Sequence, residues 1–110
     1  MLSLPTCKGT EMINFNSIIR IEAASSYSRL YFNDGRTLVV AKVLRWFEQQ
    51  LPGEQFMRIH RTHIVNAQFI KEYTKGKNTI VSLQSGELIT VAKRKRTWFL
   101  QCRYQPVVPV

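Results

Sequence analysis

The residues that could do chemistry concentrate between Phe56 and Asn66, which reads Phe-Met-Arg-Ile-His-Arg-Thr-His-Ile-Val-Asn. His60 and His63 are the only two histidines, and a His-x-x-His spacing invites a metal reading. The surroundings argue against one. In extended chain, residues three apart point to opposite faces. Arg58 and Arg61 repel a cation, and no Cys, Asp or Glu lies within several residues to complete the three or four ligands a site requires. No metal and no cofactor is expected. The simpler expectation is one histidine held by a backbone partner in a sheet and one near the surface, with a structural role for His63. Phe56, Ile59, Ile64 and Val65 suit a core, whereas Arg58, His60, Arg61 and His63 cannot all be buried without partners. Part of the stretch is therefore predicted to be a loop presenting cations.

Catalysis finds no footing elsewhere. Cys7 and Cys102 lie near opposite ends of the chain with no motif around them, so they read as free thiols in a reducing cytoplasm and not as a disulfide framework. There is no Gly-x-Ser-x-Gly elbow and no phosphate-cradling glycine loop among the five glycines. The seven acidic residues are spread thinly over faces that look solvated, which suits neither glycoside hydrolysis nor two-metal chemistry. The chain is not expected to be an enzyme.

What stands out is charge. Sixteen Lys and Arg against seven Asp and Glu leave a formal charge of +9, an imbalance that favours anionic partners by steering encounter and releasing counterions. Nucleic acid leads. An anionic membrane surface would want a basic amphipathic helix, and only the C-terminal segment comes near one; no apolar run approaches the ~20 residues that span a bilayer. The basic positions gather at element ends: Arg29, Lys42, Arg58, Arg61 and the run Lys93-Arg94-Lys95-Arg96. A charge run is most often a solvated face, so composition alone does not decide. Tyr27, Tyr31, Phe32, Trp46 and Trp98 are too scattered for a base-stacking platform and fit the core or its rim.

These side chains need a scaffold. At 110 residues, with 45% hydrophobic and 11% aromatic content, the chain fits one domain with one core. The first residues, Met1 to Pro5, lack the charged start and apolar middle of a secretion signal. Alternation predicts strands at Glu11–Phe15, Ile18–Glu22 and Tyr27–Phe32, the last with Leu30 and Phe32 on one face and Arg29 and Tyr31 on the other. Asn33-Asp34-Gly35 closes a hairpin into Thr37–Val40. From Lys42 the period becomes helical, with Val43, Leu44, Phe47 and Leu51 inward, until Pro52-Gly53. Phe69–Tyr73, Thr79–Leu83 and Leu88–Val91 form a second meander, turning at Lys75–Asn78 and Gln84–Gly86. A short helix follows from Thr97, and residues 104–110, with two prolines, are read as an extended tail. The expectation is a mainly β domain of about eight short strands and two helices.

The order of segments resembles a known family, the LytTR DNA-binding domain, the effector half of a class of bacterial response regulators. The resemblance rests on Ile18-Ile19-Arg20-Ile21-Glu22-Ala23 with Tyr27-Ser28-Arg29-Leu30, on Phe56 to Thr62 with Ile64-Val65-Asn66, and on Gly86 with Ile89 to Arg94. It covers roughly residues 8–103. It implies an elongated stack of small antiparallel sheets with two short helices, which inserts loops into successive major grooves of double-stranded DNA. By position, the groove-entering side chains are Ser28 or Arg29, then Arg61, then Lys93 or Arg94. Ser28 stands where some relatives place a longer hydrogen-bonding side chain, and Ala92 where many carry serine. The planar fork of Arg61 or Arg94 matches two acceptors on guanine, while Lys42, Arg58, Lys95, Arg96 and His60 suit phosphates. The resemblance further implies transcription regulation in the cytoplasm within a two-component system, a receiver domain elsewhere in a longer protein, and room for a homodimer on repeated sites. The competing reading is a basic β module for RNA or a protein partner.

Overall fold

The computed structural model describes residues 1–75 and 77–101. Gly76 of the expected Lys75–Asn78 turn, Cys102, and the tail 104–110 lie outside them. Ten strands pair antiparallel into three sheets: β1 (Leu2–Thr6) with β2 (Gly9–Ile13); β3 (Ile18–Ala24), β4 (Tyr27–Phe32), β5 (Thr37–Val40), β6 (Phe56–His60) and β7 (His63–Asn66) in the order β5-β4-β3-β7-β6; and β8 (Ile70–Tyr73), β9 (Ile80–Leu83) and β10 (Leu88–Thr90) in the order β10-β9-β8. Among the described residues two short helices accompany the sheets, α1 (Leu44–Gln50) after β5 and α2 (Arg96–Gln101) after β10. The molecule is elongated, 44 × 30 × 22 Å.

Local chemistry explains most boundaries. At the β4–β5 hairpin Gly35 takes φ +89°, and Asp34 Oδ1 accepts from the Arg36 amide at 2.8 Å, the turn that Asp-Gly favours. Gly86 takes φ +102° between β9 and β10. Two asparagines end strands early. Asn14 and Asn66 each cap a 3₁₀ turn, Phe15–Ser17 and Ala67–Phe69, by accepting the amide two residues on, at 2.9 and 3.0 Å. Alternation alone assigned Phe15 and Phe69 to strands; both sit in these turns because the Asx bond outcompetes the ladder. The sequence reading also placed no strand at Leu2–Thr6. Leu2 and Leu4 pair across to β2 and are buried, so β1 forms by covering a hydrophobic face.

The expected single core is two clusters. The first gathers Leu2, Leu4, Ile18, Ile21, Leu30, Phe32, Val40, Leu44, Phe47, Phe56 and Ile64 between the five-stranded sheet, α1 and the β1–β2 pair. The second gathers Ile19, Met57, Ile59, Val65, Ile70, Val81, Leu83, Ile89 and Phe99 between β6–β7, the three-stranded sheet and α2. Helix α1 contributes Leu44 and Phe47 as expected, but Val43 is its N-cap and stays 54% exposed, because the helix begins one residue later than the apolar periodicity suggested. Phe47→Ala should therefore cost about 2–5 kcal/mol, read from the urea midpoint, while Val43→Ala should stay within about 0.5 kcal/mol.

Candidate nucleic-acid interface

The stretch expected to be a cation-bearing loop is a tight hairpin. His60 faces His63 in register, so Arg61 and Thr62 form a two-residue turn at its tip. Two-residue hairpins ordinarily need positive φ at a central residue. Among the described non-glycine residues Ser25 alone has it, at φ 60°, so this turn lacks the favoured twist and is held by other bonds. Arg58 Nη2 donates to the Arg61 carbonyl at 2.8 Å, and the Ala23 amide donates to the Thr62 carbonyl at 2.9 Å. The Thr62 amide donates to His60 Nδ1 at 3.2 Å, and Thr62 Oγ1 lies 2.7 Å from that nitrogen and 3.0 Å from His63 Nδ1. The Arg61 side chain, at the tip, is exposed.

A bulge next to the turn docks the third basic segment. The β6–β7 register shifts between Arg58 and His60, and the carbonyl of the intervening Ile59 accepts the Ala92 amide at 2.7 Å. Ala92 precedes the 3₁₀ turn Lys93–Lys95, so this one bond sets Arg94 and Lys95 opposite the hairpin tip. The result is a cleft of about 630 Å³ lined by Glu48, Arg58, His60, Arg61, Ala92, Arg94 and Lys95. Four cations face one carboxylate there, which concentrates a positive field suited to a polyanion. Lys95 Nζ sits 5.0 Å from the Trp98 ring centre.

Other expected site residues are placed elsewhere. Ser28 is fully buried, and its hydroxyl donates to the Lys42 carbonyl at 2.6 Å; with no exposed surface it cannot reach a base edge, so its role here is to fasten β4 to the segment entering α1. Arg29 is exposed, yet it lies within β4 between Glu22 and Val39 in register, and not in a loop. Lys42, half-buried, precedes the helix and holds its Nζ 5.5 Å from the Trp46 ring centre. Arg58, partly exposed, bonds to other protein groups on both sides, with Nη1 3.1 Å from Glu48 Oε2. Lys93 is exposed outside the cleft lining, and Arg96 is half-buried with a solvent-shielded Nε that has no partner among the described residues.

Sequence reasoning missed Glu48, which looked merely solvated, and the buried Arg20. Arg20 stacks 3.7 Å from the Tyr31 ring centre and lies 3.8 and 3.9 Å from Glu22 and Glu87. Its signal was weak but present, a lone charge inside the apolar run Ile18–Ile21.

The histidines also differ from expectation. Because a turn separates them, they lie on one side of the hairpin with ring centres 6.3 Å apart, and Glu22 from β3 comes within 3.4 Å of His63 Nε2. Among the described residues no group of three His, Cys, Asp or Glu could hold a metal. It is His60 that takes the backbone partner, whereas His63 is held by Thr62 and Glu22. Burial pushes His63 below the ordinary 6.5, with the Arg20 guanidinium and His60 acting the same way and Glu22 opposing. The unfolded chain thus takes up this proton more readily. Stability from His63 should be fully present above pH 6.5 and be lost as pH falls through its lowered folded value. Chemical denaturation between pH 8 and 5, roughly the histidine range, should show that decline, flattened in His63→Gln; an unchanged decline would assign it to another group.

Comparison with known proteins bears on the fold. The family model described as the LytTr DNA-binding domain matches residues 8–102. A solved LytTr DNA-binding domain from Bacillus cereus superposes with a TM-score of 0.78 at 25% identity, covering 92% of this chain and 94% of that one. The CO-responsive transcriptional regulator RcoM of Rhodospirillum rubrum is 26% identical over 91 residues, 80% of this chain and 38% of its own length. No helix among the described residues is long and apolar enough to cross a membrane. With the family model matched over residues 8–102 and the fold shared at a TM-score of 0.78, the chain belongs to the LytTr DNA-binding domain family.

Proposed function

We propose that the chain binds double-stranded DNA sequence-specifically, as the effector domain of a bacterial transcription regulator, with the cleft between the Arg61 turn and the Lys93–Lys95 turn as the main contact surface. The observation that carries this is the Ile59–Ala92 bond, which sets two exposed arginines, Arg61 and Arg94, on opposite walls of one cationic cleft. Two loops that project side by side from a sheet scaffold can enter a groove that a lone charged face would only graze. Arg61 and Arg94, with Lys93 beside it, read base edges through their donors; Arg29 reads or steers from the open sheet face. Lys95, Lys42, Arg96 and His60 contact phosphates and set register. The LytTr DNA-binding domains are a non-enzymatic family, which supports a binding role for the cleft.

The chain spans 38% of the curated regulator it matches, which supports a role as one part of a longer protein, and its DNA partner would be met in the cytoplasm. We read the input as residing in a separate domain, a receiver domain in a two-component setting, and the DNA as bound by homodimers on repeated sites.

Selection of bound duplexes from a random pool, followed by titration, tests the reading. Arg61→Ala should lose about 1–3 kcal/mol on the selected duplex and little on a scrambled one. Lys95→Ala should weaken both alike and reduce the salt slope by about one. Equal effects from both substitutions would sink the division between reading and positioning, and a preference for single-stranded RNA would favour a basic RNA-binding module instead.

A further inference from the structure

Arg58 and Glu48 carry an assignment of their own. Arg58 extends from the middle of β6 and bridges two elements: one guanidinium nitrogen donates to Glu48 Oε2 on α1 at 3.1 Å, the other to the Arg61 carbonyl at 2.8 Å. The planar guanidinium makes both bonds from one rigid group, which an ammonium cannot reproduce. The turn it grips has no residue with positive φ, so its backbone lacks the twist that best closes a two-residue hairpin. We infer that Glu48 and Arg58 are positioning residues for base readout: Glu48 orients the Arg58 guanidinium, which fixes the Arg61 carbonyl and so aims the Arg61 side chain. Arg58 is then no phosphate contact, contrary to what its basic character suggests, and the single carboxylate in a cationic cleft favours DNA recognition instead of merely opposing it. The inference rests on reading the cleft as a DNA surface.

The sign of one effect separates this from the simple electrostatic picture. If Glu48 only repels the polyanion, Glu48→Gln strengthens binding to every duplex. If it positions, Glu48→Gln loses affinity for the selected duplex by about fivefold, the size of the charge assistance lost from one hydrogen bond whose amide oxygen still accepts, while a scrambled duplex binds as well or better. Arg58→Lys, which keeps the charge, should show the same selective loss with an unchanged salt slope, and the double variant should be no worse than either single one. Both side chains are partly exposed, 26% for Arg58 and 38% for Glu48, so the folded state should survive, as thermal melting would confirm. Uniformly tighter binding by Glu48→Gln, or a reduced salt slope in Arg58→Lys, would overturn the assignment.

A DNA-free measurement keeps it testable if the DNA reading itself fails. Amide ¹⁵N relaxation should give Arg61 and Thr62 order parameters near the rigid value of about 0.85 in the parent chain and clearly lower ones in Glu48→Gln and Arg58→Lys, with Ile64 unchanged. Unaltered order at Arg61 and Thr62 in both variants would refute the positioning role, whatever the DNA titrations show. Failure of the parent chain to distinguish selected from scrambled duplexes would instead refute the function proposed for the cleft.

Discussion

The β6–β7 hairpin is the wall between two hydrophobic cores, and the rest of the molecule is arranged around its alternation. Phe56 and Ile64 enter the cluster under α1, while Met57, Ile59 and Val65 enter the cluster under the three-stranded sheet. A one-residue slip would exchange the two faces and leave both cores mismatched, so the register is strongly specified. Buried Asn66 pins one end of this hairpin, donating to the Ile18 carbonyl at 2.8 Å. Since both cores must be satisfied at once, the two strands leading into the turn are fixed in register, and Arg61 projects from the end of a rigid support.

The polar groups around the turn extend that rigidity outward. Arg58, the His60 ring and the Ala23 amide each supply a bond that the backbone of the turn cannot make for itself. Behind them, Glu22 joins the system to the sheet by accepting from the Tyr31 hydroxyl at 2.9 Å, and buried Arg20 stacks on the Tyr31 ring. A buried guanidinium is tolerated only where partners and an aromatic face offset its desolvation. The net charge of +9 is therefore not uniform in its contacts: Arg20 and Arg58 bond to other groups of the protein, whereas Arg61 and Arg94 are exposed at the cleft.

Much of the fold was legible because its signals are local. The Asp34-Gly35 hairpin, the period-two pattern of Tyr27–Phe32 and the helical spacing of Leu44, Phe47 and Leu51 each follow from backbone preference and burial within a few residues. The errors share a physical cause too. Strand β1 is stabilised by covering a face that other segments build, and Phe15 and Phe69 left their expected strands because Asn14 and Asn66 bond to nearby amides. A division into two cores cannot be read from composition, since it depends on which face of a shared hairpin each segment covers.

The sequence by itself determined the residue types available for recognition, the absence of catalytic motifs, and the likeness of the Phe56–Asn66 block to a DNA-binding family, because these depend on chemistry and order along the chain. Only the tertiary structure decided which cations are free. Ser28 proved buried and Arg58 committed to Glu48, while a single bond between Ile59 and Ala92 brought Arg94 to Arg61 across more than thirty positions of sequence. Availability to a partner depends on what else a side chain touches, and those contacts come from segments distant in sequence.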